Sequence, residues 1–211
     1  MNLLVTGTDT NVGKTHVTAG LVRASRAAGL DVIGMKPFCT GDQTDTARLQ
    51  EANGAQEPDH LINPAWFHTP LAPLAAAAIE NRHIDLAGVQ EAFRELTSRH
   101  AHVLVEGAGG LAVPILTGYD FRDLARDLGL DILLVAANRL GALNHVRLTL
   151  DALEASSLRC RGVILNTINA EPGLAESTNR SILEQLTTVP IFEVGYGEAN
   201  LSGLAAEVFR A

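Results

Sequence analysis

A glycine-rich segment follows the first apolar run of the chain and opens a stretch with helical periodicity. The run is Asn2–Thr6, and the segment reads Gly7-Thr8-Asp9-Thr10-Asn11-Val12-Gly13-Lys14-Thr15. A strand, a glycine-rich loop and a helix in this order, with Gly-Lys-Thr at the junction, are what a phosphate-binding loop (P-loop) requires. The common pattern has its first glycine where Thr8 stands here, with Gly7 one residue earlier, so the loop is a variant. The alternative is a coincidental glycine-rich turn.

The chemistry of such a loop assigns a role to each part of the segment. Successive backbone N–H groups surround the phosphates, and the helix N-terminus adds a favourable partial charge. Lys14 would reach the β- and γ-phosphate oxygens, and the Thr15 hydroxyl would ligate Mg²⁺. We therefore expect a nucleotide to contact one continuous stretch: Thr10, Asn11, Val12, Gly13, Lys14, Thr15 and His16.

The placement of lysine supports this interpretation. The chain has only two lysines, Lys14 and Lys36, among 16 basic Lys and Arg residues. An ammonium is a compact, movable charge that fits between phosphate oxygens, whereas the planar guanidinium of Arg does not replace it there. One lysine lies in the glycine-rich segment and the other follows the second predicted strand, so both are candidate catalytic residues. A snorkelling surface lysine is the alternative for Lys36.

Short β-branched or Leu-rich runs alternate with helical stretches along the chain, which is typical of a parallel sheet covered on both faces. The predicted strands are Asn2–Thr6, Asp31–Met35, His102–Glu106, Asp131–Ala136, Arg161–Asn166 and Pro190–Val194. The predicted helices lie near 14–28, 43–52, 85–99, 121–128, 142–156 and 173–187. The fold class is therefore α/β: a three-layer, doubly wound, mainly parallel sheet of the P-loop NTPase type. We expect one domain over residues 1–211.

Composition narrows the possible partners. With 46% hydrophobic and 19% charged residues, the chain is globular rather than disordered. The net charge of −8 and the scattered arginines provide no basic surface for nucleic acid. No apolar run approaches the ~20 residues of a membrane span, and the chain starts with a strand rather than a signal segment. We expect a cytoplasmic protein that binds neither nucleic acid nor membrane.

Two acidic residues are candidate metal ligands, because Mg²⁺ prefers oxygen donors. Glu106 ends an apolar strand, at the sheet edge where ligands bind in such folds. The glycines that follow it let backbone approach a ligand closely, with a simple tight turn as the alternative. Asp45 is a further candidate, although an Asp between two threonines is often a helix cap.

One segment breaks the alternation of strands and helices. Residues 53–73 contain four prolines and the only tryptophan, Trp66. We expect a long irregular loop here, and long loops in compact domains usually have a function. A surface excursion packed by Trp66 is the alternative.

At this point the residues resemble a known family, the dethiobiotin synthetases. Four motifs carry the resemblance, in order along the chain: Gly7-Thr8-Asp9-Thr10-x-Val12-Gly13-Lys14-Thr15, Lys36-Pro37-x-x-Thr40-Gly41, Val105-Glu106-Gly107-Ala108-Gly109-Gly110 and Leu140-Gly141-x-x-Asn144-His145. The family implies an ATP- and Mg²⁺-dependent ligase of biotin biosynthesis. Diaminopelargonic acid is carboxylated by carbon dioxide to a carbamate, the carbamate attacks the γ-phosphate, and the second amine closes the ureido ring on the mixed anhydride.

The resemblance also implies roles for individual residues. Lys36 contacts the γ-phosphate and the carbamate, the Thr40 hydroxyl touches the substrate, and Asn166 reads adenine through its amide. The metal ligands are Thr15, Asp45 and Glu106. Besides the phosphate loop, the implied nucleotide contacts are Asp45, Glu106, Gly107, Ala108, Gly109, Asn166, Thr167, Gly195, Tyr196 and Gly197. The implied substrate contacts are Lys36, Thr40, Gly141, Leu143 and Asn144.

The family's active site lies at a two-fold interface, with the substrate carboxylate near the helix that starts at Gly141 of the partner subunit, so the resemblance implies a homodimer. This sequence departs from the family in two nucleotide-contact regions. Asn11 stands where some relatives have Glu, and Gly195-Tyr196-Gly197 replaces a Pro-containing stretch that frames the base.

Two other functions share this fold. A nucleotide switch resembling the partitioning and septum-positioning ATPases would have an extra lysine early in its phosphate loop, and none precedes Lys14 here. The stretch Leu201–Ala211 is also short and weakly basic for a membrane-targeting helix. An amidoligase of cobalamin biosynthesis would need a glutaminase domain, for which we expect no room in this chain.

Overall fold

The computed structural model describes residues 1–210, and the elements below refer to this range. In chain order they are β1 (Asn2–Gly7), α1 (Lys14–Ala27), β2 (Val32–Met35), β3 (Phe38–Thr40), α2 (Thr44–Ala52), α3 (Asp59–Ile62), β4 (Ala65–Phe67), α4 (Pro73–Ile79), α5 (Leu86–Arg99), β5 (His102–Gly110), β6 (Pro114–Leu116), β7 (Tyr119–Asp120), α6 (Phe121–Asp127), β8 (Asp131–Ala137), α7 (Ala142–Ala155), β9 (Cys160–Asn166), α8 (Leu174–Leu186), β10 (Ile191–Val194) and α9 (Ser202–Val208).

The main sheet confirms the predicted α/β class. Its strand order is β10-β9-β8-β1-β5-β2, and every neighbouring pair is parallel. All six predicted strands are present with small changes at their ends. The last strand begins at Ile191 rather than at Pro190, because proline has no N–H to donate to the ladder.

Both faces of the sheet are covered. Along β8, Leu133 and Val135 join the large apolar cluster, whereas Leu134 and Ala136 join a second cluster that includes Val146 of α7. Successive side chains of a strand point to opposite faces. The two clusters therefore lie on opposite sides of one sheet, which is the predicted three-layer arrangement.

Two local predictions were wrong. The segment expected to be one irregular loop contains α3, and its β4 pairs with β3 as a small parallel sheet. The indole Nε1 of Trp66 donates to the carbonyl of Gly41 at 2.9 Å, so this segment packs against the loop after β3. The strand predicted to end at Glu106 continues as β5 to Gly110, which pairs with Gly7 across an irregularity in the ladder, so the tight turn considered as an alternative is absent.

The strand order brings the candidate residues to one edge. β1 lies between β5 and β8, and β5 lies between β1 and β2. The phosphate loop and Lys36 follow β1 and β2, and Glu106 lies on β5 beside the last residues of β1. Ligands bind at this edge in open α/β sheets. In residues 1–210, every helix is too short or too polar to cross a bilayer.

Candidate functional site

The phosphate loop is held in place by its neighbours. At its start, the amide of Thr8 donates to the carbonyl of Val135 on β8 at 2.9 Å. At its end, Nδ2 of Asn166 donates to the carbonyl of Val12 at 2.9 Å. Gly13 has a φ of 95°, and a Cβ at this position would lie 2.1 Å from Nδ2 of Asn166. Only glycine fits there, because a side chain would both strain the backbone and displace the amide that fixes the loop.

Lys14 opens α1 and is turned back into the loop. Its side chain is buried, and Nζ donates to the carbonyl of Asp9 at 2.9 Å. Burial lowers the pKa of Lys14 to about 8, with the charge of Glu106 acting in the opposite direction. A cation withdrawn from water and satisfied by one carbonyl binds phosphate oxygens well, because little hydration has to be removed.

The second lysine makes a buried ion-pair cluster. Nζ of Lys36 lies 2.6 Å from Oε1 of Glu106 and 2.9 Å from Oδ2 of Asp45. The Thr15 hydroxyl donates to the same Oε1 at 2.6 Å. Lys36, just after β2, and Thr15 of α1 thus meet at the Glu106 carboxylate of β5, and Asp45 of α2 joins the cluster through Lys36. The alternative of a snorkelling surface lysine is wrong, since only 6% of the Lys36 side chain is exposed.

The cluster stabilises its own charges. Burial alone would lower the pKa of Lys36, but the charges of Glu106 and Asp45 outweigh it and raise the pKa above its usual value. Burial alone would raise the pKa of Asp45, but Lys36 outweighs it and Arg48 adds to the lowering. Asp45 lies in the first turn of α2, which has Gln43 as its N-cap, so the role of helix cap expected as an alternative is absent.

The three candidate metal ligands suit a hard cation. Oε2 of Glu106 is buried and has no hydrogen-bond partner within residues 1–210, so a lone pair is available at the centre of the cluster. Thr15 and Asp45 add a hydroxyl and a second carboxylate beside it. Within the described part of the chain, no three His, Cys, Asp or Glu side chains form a metal cage. A cation here would complete its shell with phosphate oxygens and water, as Mg²⁺ commonly does.

A cavity of about 590 Å³ joins these groups. Its lining residues are Thr10, Asn11, Gly13, Lys14, Thr15, His16, Lys36, Thr40, Asp45, Arg48, Pro70, Glu106, Ala108 and Gly109. Most of the predicted phosphate, metal and catalytic residues are thus brought to one place. Nε2 of His16 is buried without a hydrogen-bond partner among residues 1–210. Val12 and Gly107 do not line the cavity, and Val12 is buried beneath the loop that it helps to form.

The residues predicted to contact the base lie to one side of the cavity, at the ends of β9 and β10. The amide of Thr167 donates to Val194 at 2.9 Å, and the amide of Gly195 donates to Glu198 at 2.8 Å. Tyr196 is 60% exposed, and Gly197 follows it with a φ of 64°. Asn166 connects this region to the phosphate loop through its bond to Val12.

The remaining predicted substrate residues do not line the cavity of the same chain. Gly141 is the N-cap of α7, with a φ of 94°, and Leu143 and Asn144 lie in the first turn of that helix. Asn144 is exposed, as is Leu140 just before the helix. The start of α7 does not line the cavity, and the use of this helix by a second subunit stays a prediction.

Sequence reasoning missed two features of the site. Arg48 lines the cavity, and its spacing of one helical turn from Asp45 was a usable signal. Asn138 and Asn179 are buried, and Nδ2 of Asn179 donates to Oδ1 of Asn138 at 2.8 Å and to the carbonyl of Arg139 at 3.1 Å. This pair of asparagines stabilises the loop between β8 and α7. No local sequence pattern predicts the contact between them.

Comparison with solved structures agrees with the fold. The cell division protein FtsY from Thermotoga maritima has a TM-score of 0.61 at 17% identity, over 100% of this chain and 69% of that chain. The septum site-determining protein MinD from Pyrococcus horikoshii has a TM-score of 0.56 at 17% identity, over 99% and 89% respectively. At such identities the likeness establishes the architecture alone.

Comparison with sequences is more specific. A family model described as an AAA domain matches residues 1–194. An ATP-dependent dethiobiotin synthetase from Anaeromyxobacter dehalogenans is 49% identical over 189 residues, which are 88% of this chain and 85% of that protein. One from Akkermansia muciniphila is 40% identical over 190 residues, covering 90% and 89% respectively. Because relatives 40% to 49% identical match it over most of its length, the chain belongs to the ATP-dependent dethiobiotin synthetase family.

Proposed function

We propose that this protein closes the ureido ring of dethiobiotin at the cavity that joins Lys14, Lys36 and Glu106. One amine of diaminopelargonic acid takes up carbon dioxide and loses a proton to give a carbamate. A carbamate oxygen attacks the γ-phosphorus of ATP and ADP leaves. The second amine then attacks the carbonyl of the mixed anhydride and expels phosphate. The supporting observation is the convergence of both lysines and three oxygen ligands on one cavity.

The phosphate end of the cavity binds and orients ATP. The first N–H groups of a helix have no intrahelical acceptors, so the start of α1 supplies donors to phosphate oxygens. Lys14 exchanges the carbonyl of Asp9 for the β- and γ-phosphate oxygens. Asn166 keeps the loop in its binding conformation through Val12, while its amide oxygen remains available to the base. Thr167 and residues 195–197 form the rest of the base site.

In this proposal Thr15, Asp45 and Glu106 would hold Mg²⁺. The cation would supply positive charge to the triphosphate oxygens for phosphoryl transfer. The Lys36 ammonium contacts Oε1 of Glu106 at 2.6 Å and Oδ2 of Asp45 at 2.9 Å, while Oε2 of Glu106 has no partner among residues 1–210. A divalent cation bound by these two carboxylates would compete with Lys36 for their negative charge, and Lys36 would then be free to contact the carbamate and the γ-phosphate.

The substrate end is built by Thr40 and, from a second subunit, by Gly141, Leu143 and Asn144. A helix N-terminus is a favourable site for a carboxylate. Leu140 and Leu148 are 88% and 60% exposed at the start and on one face of α7, which supports burial of this helix against a second copy. We therefore propose a homodimer, which sedimentation at micromolar concentration tests directly. A monomeric mass would contradict it.

Label transfer tests the proposed reaction. Incubation with ¹³C-labelled bicarbonate, ATP, Mg²⁺ and diaminopelargonic acid should place the label in the ureido carbonyl, observed by NMR. A Lys36→Met protein is the matched control and should leave the label in bicarbonate and carbamate. Label that never reaches a cyclic urea with the unmodified protein would refute the reaction.

A further inference from the structure

Arg48 is a cavity residue for which neither the motifs nor the relatives supply a role. It lies on α2, one helical turn after Asp45, and its side chain is exposed on the cavity wall. Within residues 1–210 it makes no ion pair and no side-chain hydrogen bond. The two lysines on the same wall are already engaged, Lys14 by the carbonyl of Asp9 and Lys36 by two carboxylates. The charge of Arg48 acts on Asp45 and helps to lower its pKa, but within the described residues the guanidinium contacts no acceptor and is free to bind a ligand.

The distribution of charge in the cavity indicates that Arg48 pairs with an anionic ligand. Its phosphate end has the loop amides and Lys14. The carboxylates of Asp45 and Glu106 are balanced by Lys36. The anionic substrate formed from the diamine would otherwise have only Lys36, which is shared with those carboxylates. Arg48 supplies the missing positive charge on the wall that also contains Thr40 and Pro70.

The shape of the guanidinium selects among the anionic ligands. A carbamate is planar and presents two oxygens like a carboxylate, which the planar fork of Arg matches, whereas a lysine offers a point charge. Contact through one oxygen leaves the other free to attack phosphorus. We propose that Arg48 binds the non-attacking oxygen of the carbamate and is a specificity residue for the carboxylated diamine. This inference rests on the proposed function and adds a substrate contact to it.

The test compares Arg48→Gln with Arg48→Lys and with Arg23→Gln. Arg23 is the matched control because it is also an exposed helical arginine but lies on α1 outside the cavity. Kinetic constants for ATP, diamine and bicarbonate are measured for each protein. Calorimetry then follows binding of diamine with bicarbonate in the absence of nucleotide. Thermal unfolding verifies that each variant is folded.

We expect Arg48→Gln to raise the KM for diamine and bicarbonate by about 10- to 100-fold, the effect of losing a charge-assisted hydrogen bond. The KM for ATP should change by less than about 2-fold, and binding of diamine with bicarbonate should weaken in parallel with the KM values. Arg48→Lys should be intermediate, and Arg23→Gln should match the unmodified protein.

Two results would overturn the inference. One is an Arg48→Gln protein indistinguishable from Arg23→Gln. The other is weakened ATP binding with unchanged diamine kinetics, which would assign Arg48 to the triphosphate. Failure of the proposed function is seen separately: unmodified protein without diamine-dependent turnover refutes the reaction, and this inference with it, before any variant is compared.

Discussion

Lys36 and Glu106 form a buried ion pair, with Nζ 2.6 Å from Oε1 and side chains that are 6% and 0% exposed. The sheet brings the two residues close, because Met35, the last residue of β2, is the register partner of Val105 of β5, and Lys36 and Glu106 are the residues that follow them in the chain. Buried charges are tolerated when they are paired and hydrogen-bonded. The pair therefore places the ammonium of the catalytic candidate on the carboxylate proposed to hold the metal.

Replacing Lys36 by Met should uncover that carboxylate. We expect turnover to be lost and the affinity of the nucleotide-free protein for Mn²⁺ to rise, because no ammonium competes for Glu106. Mn²⁺ titration followed by electron paramagnetic resonance measures this without any reaction. Unchanged or weaker Mn²⁺ binding would refute the competition.

Lys36→Arg separates charge from shape. The variant should fold normally, because the positive charge that balances Glu106 is kept. It should lose most turnover, since a longer planar guanidinium cannot occupy the position of an ammonium. Steady-state kinetics and thermal unfolding are the measurements, and near-normal turnover would remove Lys36 from the catalytic role.

Lys14→Ala should act mainly on nucleotide binding. The lost charge-assisted contact corresponds to about a 10- to 100-fold weaker affinity for the triphosphate. Stability should be largely retained, because the burial of this ammonium, which lowers its pKa to about 8, is unfavourable to folding at neutral pH. A fluorescent ATP analogue reports the affinity, with Arg23→Gln as the control. Undiminished affinity would mean that the loop binds something other than phosphates.

Asn166→Ala tests the support beneath the loop. Removing Nδ2 leaves the buried carbonyl of Val12 without its donor, which should cost about 1–3 kcal/mol of unfolding free energy and raise the KM for ATP. Asn166→Asp should cost more, because a carboxylate then faces that carbonyl. Chemical denaturation ranks the two variants, and equal stability of both with the unmodified protein would exclude this role.

The pH dependence of stability can be tested far from the cavity. Nδ1 of His100 lies 2.7 Å from Oδ1 of Asp31, and this hydrogen bond lowers the pKa of Asp31 below its ordinary 3.8. A carboxyl group with a lowered pKa contributes stability above its ordinary pKa and loses it as the pH falls through the folded value. Because the Asp31 side chain is half exposed, Asp31→Asn should cost less than about 1 kcal/mol at pH 7.

Denaturant unfolding of both proteins at several pH values checks this prediction. The difference in unfolding free energy should be present at pH 7 and at about pH 5, and it should disappear as the pH falls below the ordinary pKa of Asp31. A difference that persists at low pH would show that packing, rather than charge, is responsible.

Apolar periodicity and turn motifs in the sequence predicted the helices and strands whose formation depends on neighbouring residues. The strand before the phosphate loop and the helix after it are marked by apolar runs and by Gly-Lys-Thr. The short pair β3 and β4 was missed because three-residue strands have too little periodicity to be recognised. Helix α4 had a usable signal in Pro73 at its first position, followed by a run of alanines.

Sequence motifs predicted which residues form the site, but not which of them contact each other. Lys36 and Glu106 were both expected at the same sheet edge, but their contact depends on β5 lying beside β2, which chain order does not reveal. The support of the loop between β8 and α7 by Asn179 depends on how α8 docks, and so lies beyond sequence patterns.

In the proposed reaction, ATP cleavage serves ring closure. The first measurement is ADP release by the purified protein with ATP, Mg²⁺ and bicarbonate, with and without diaminopelargonic acid. We predict that ADP release requires the diamine and equals the amount of cyclic urea formed. Release that is indifferent to the diamine would contradict the claim and favour a nucleotide switch whose hydrolysis responds to a macromolecular partner.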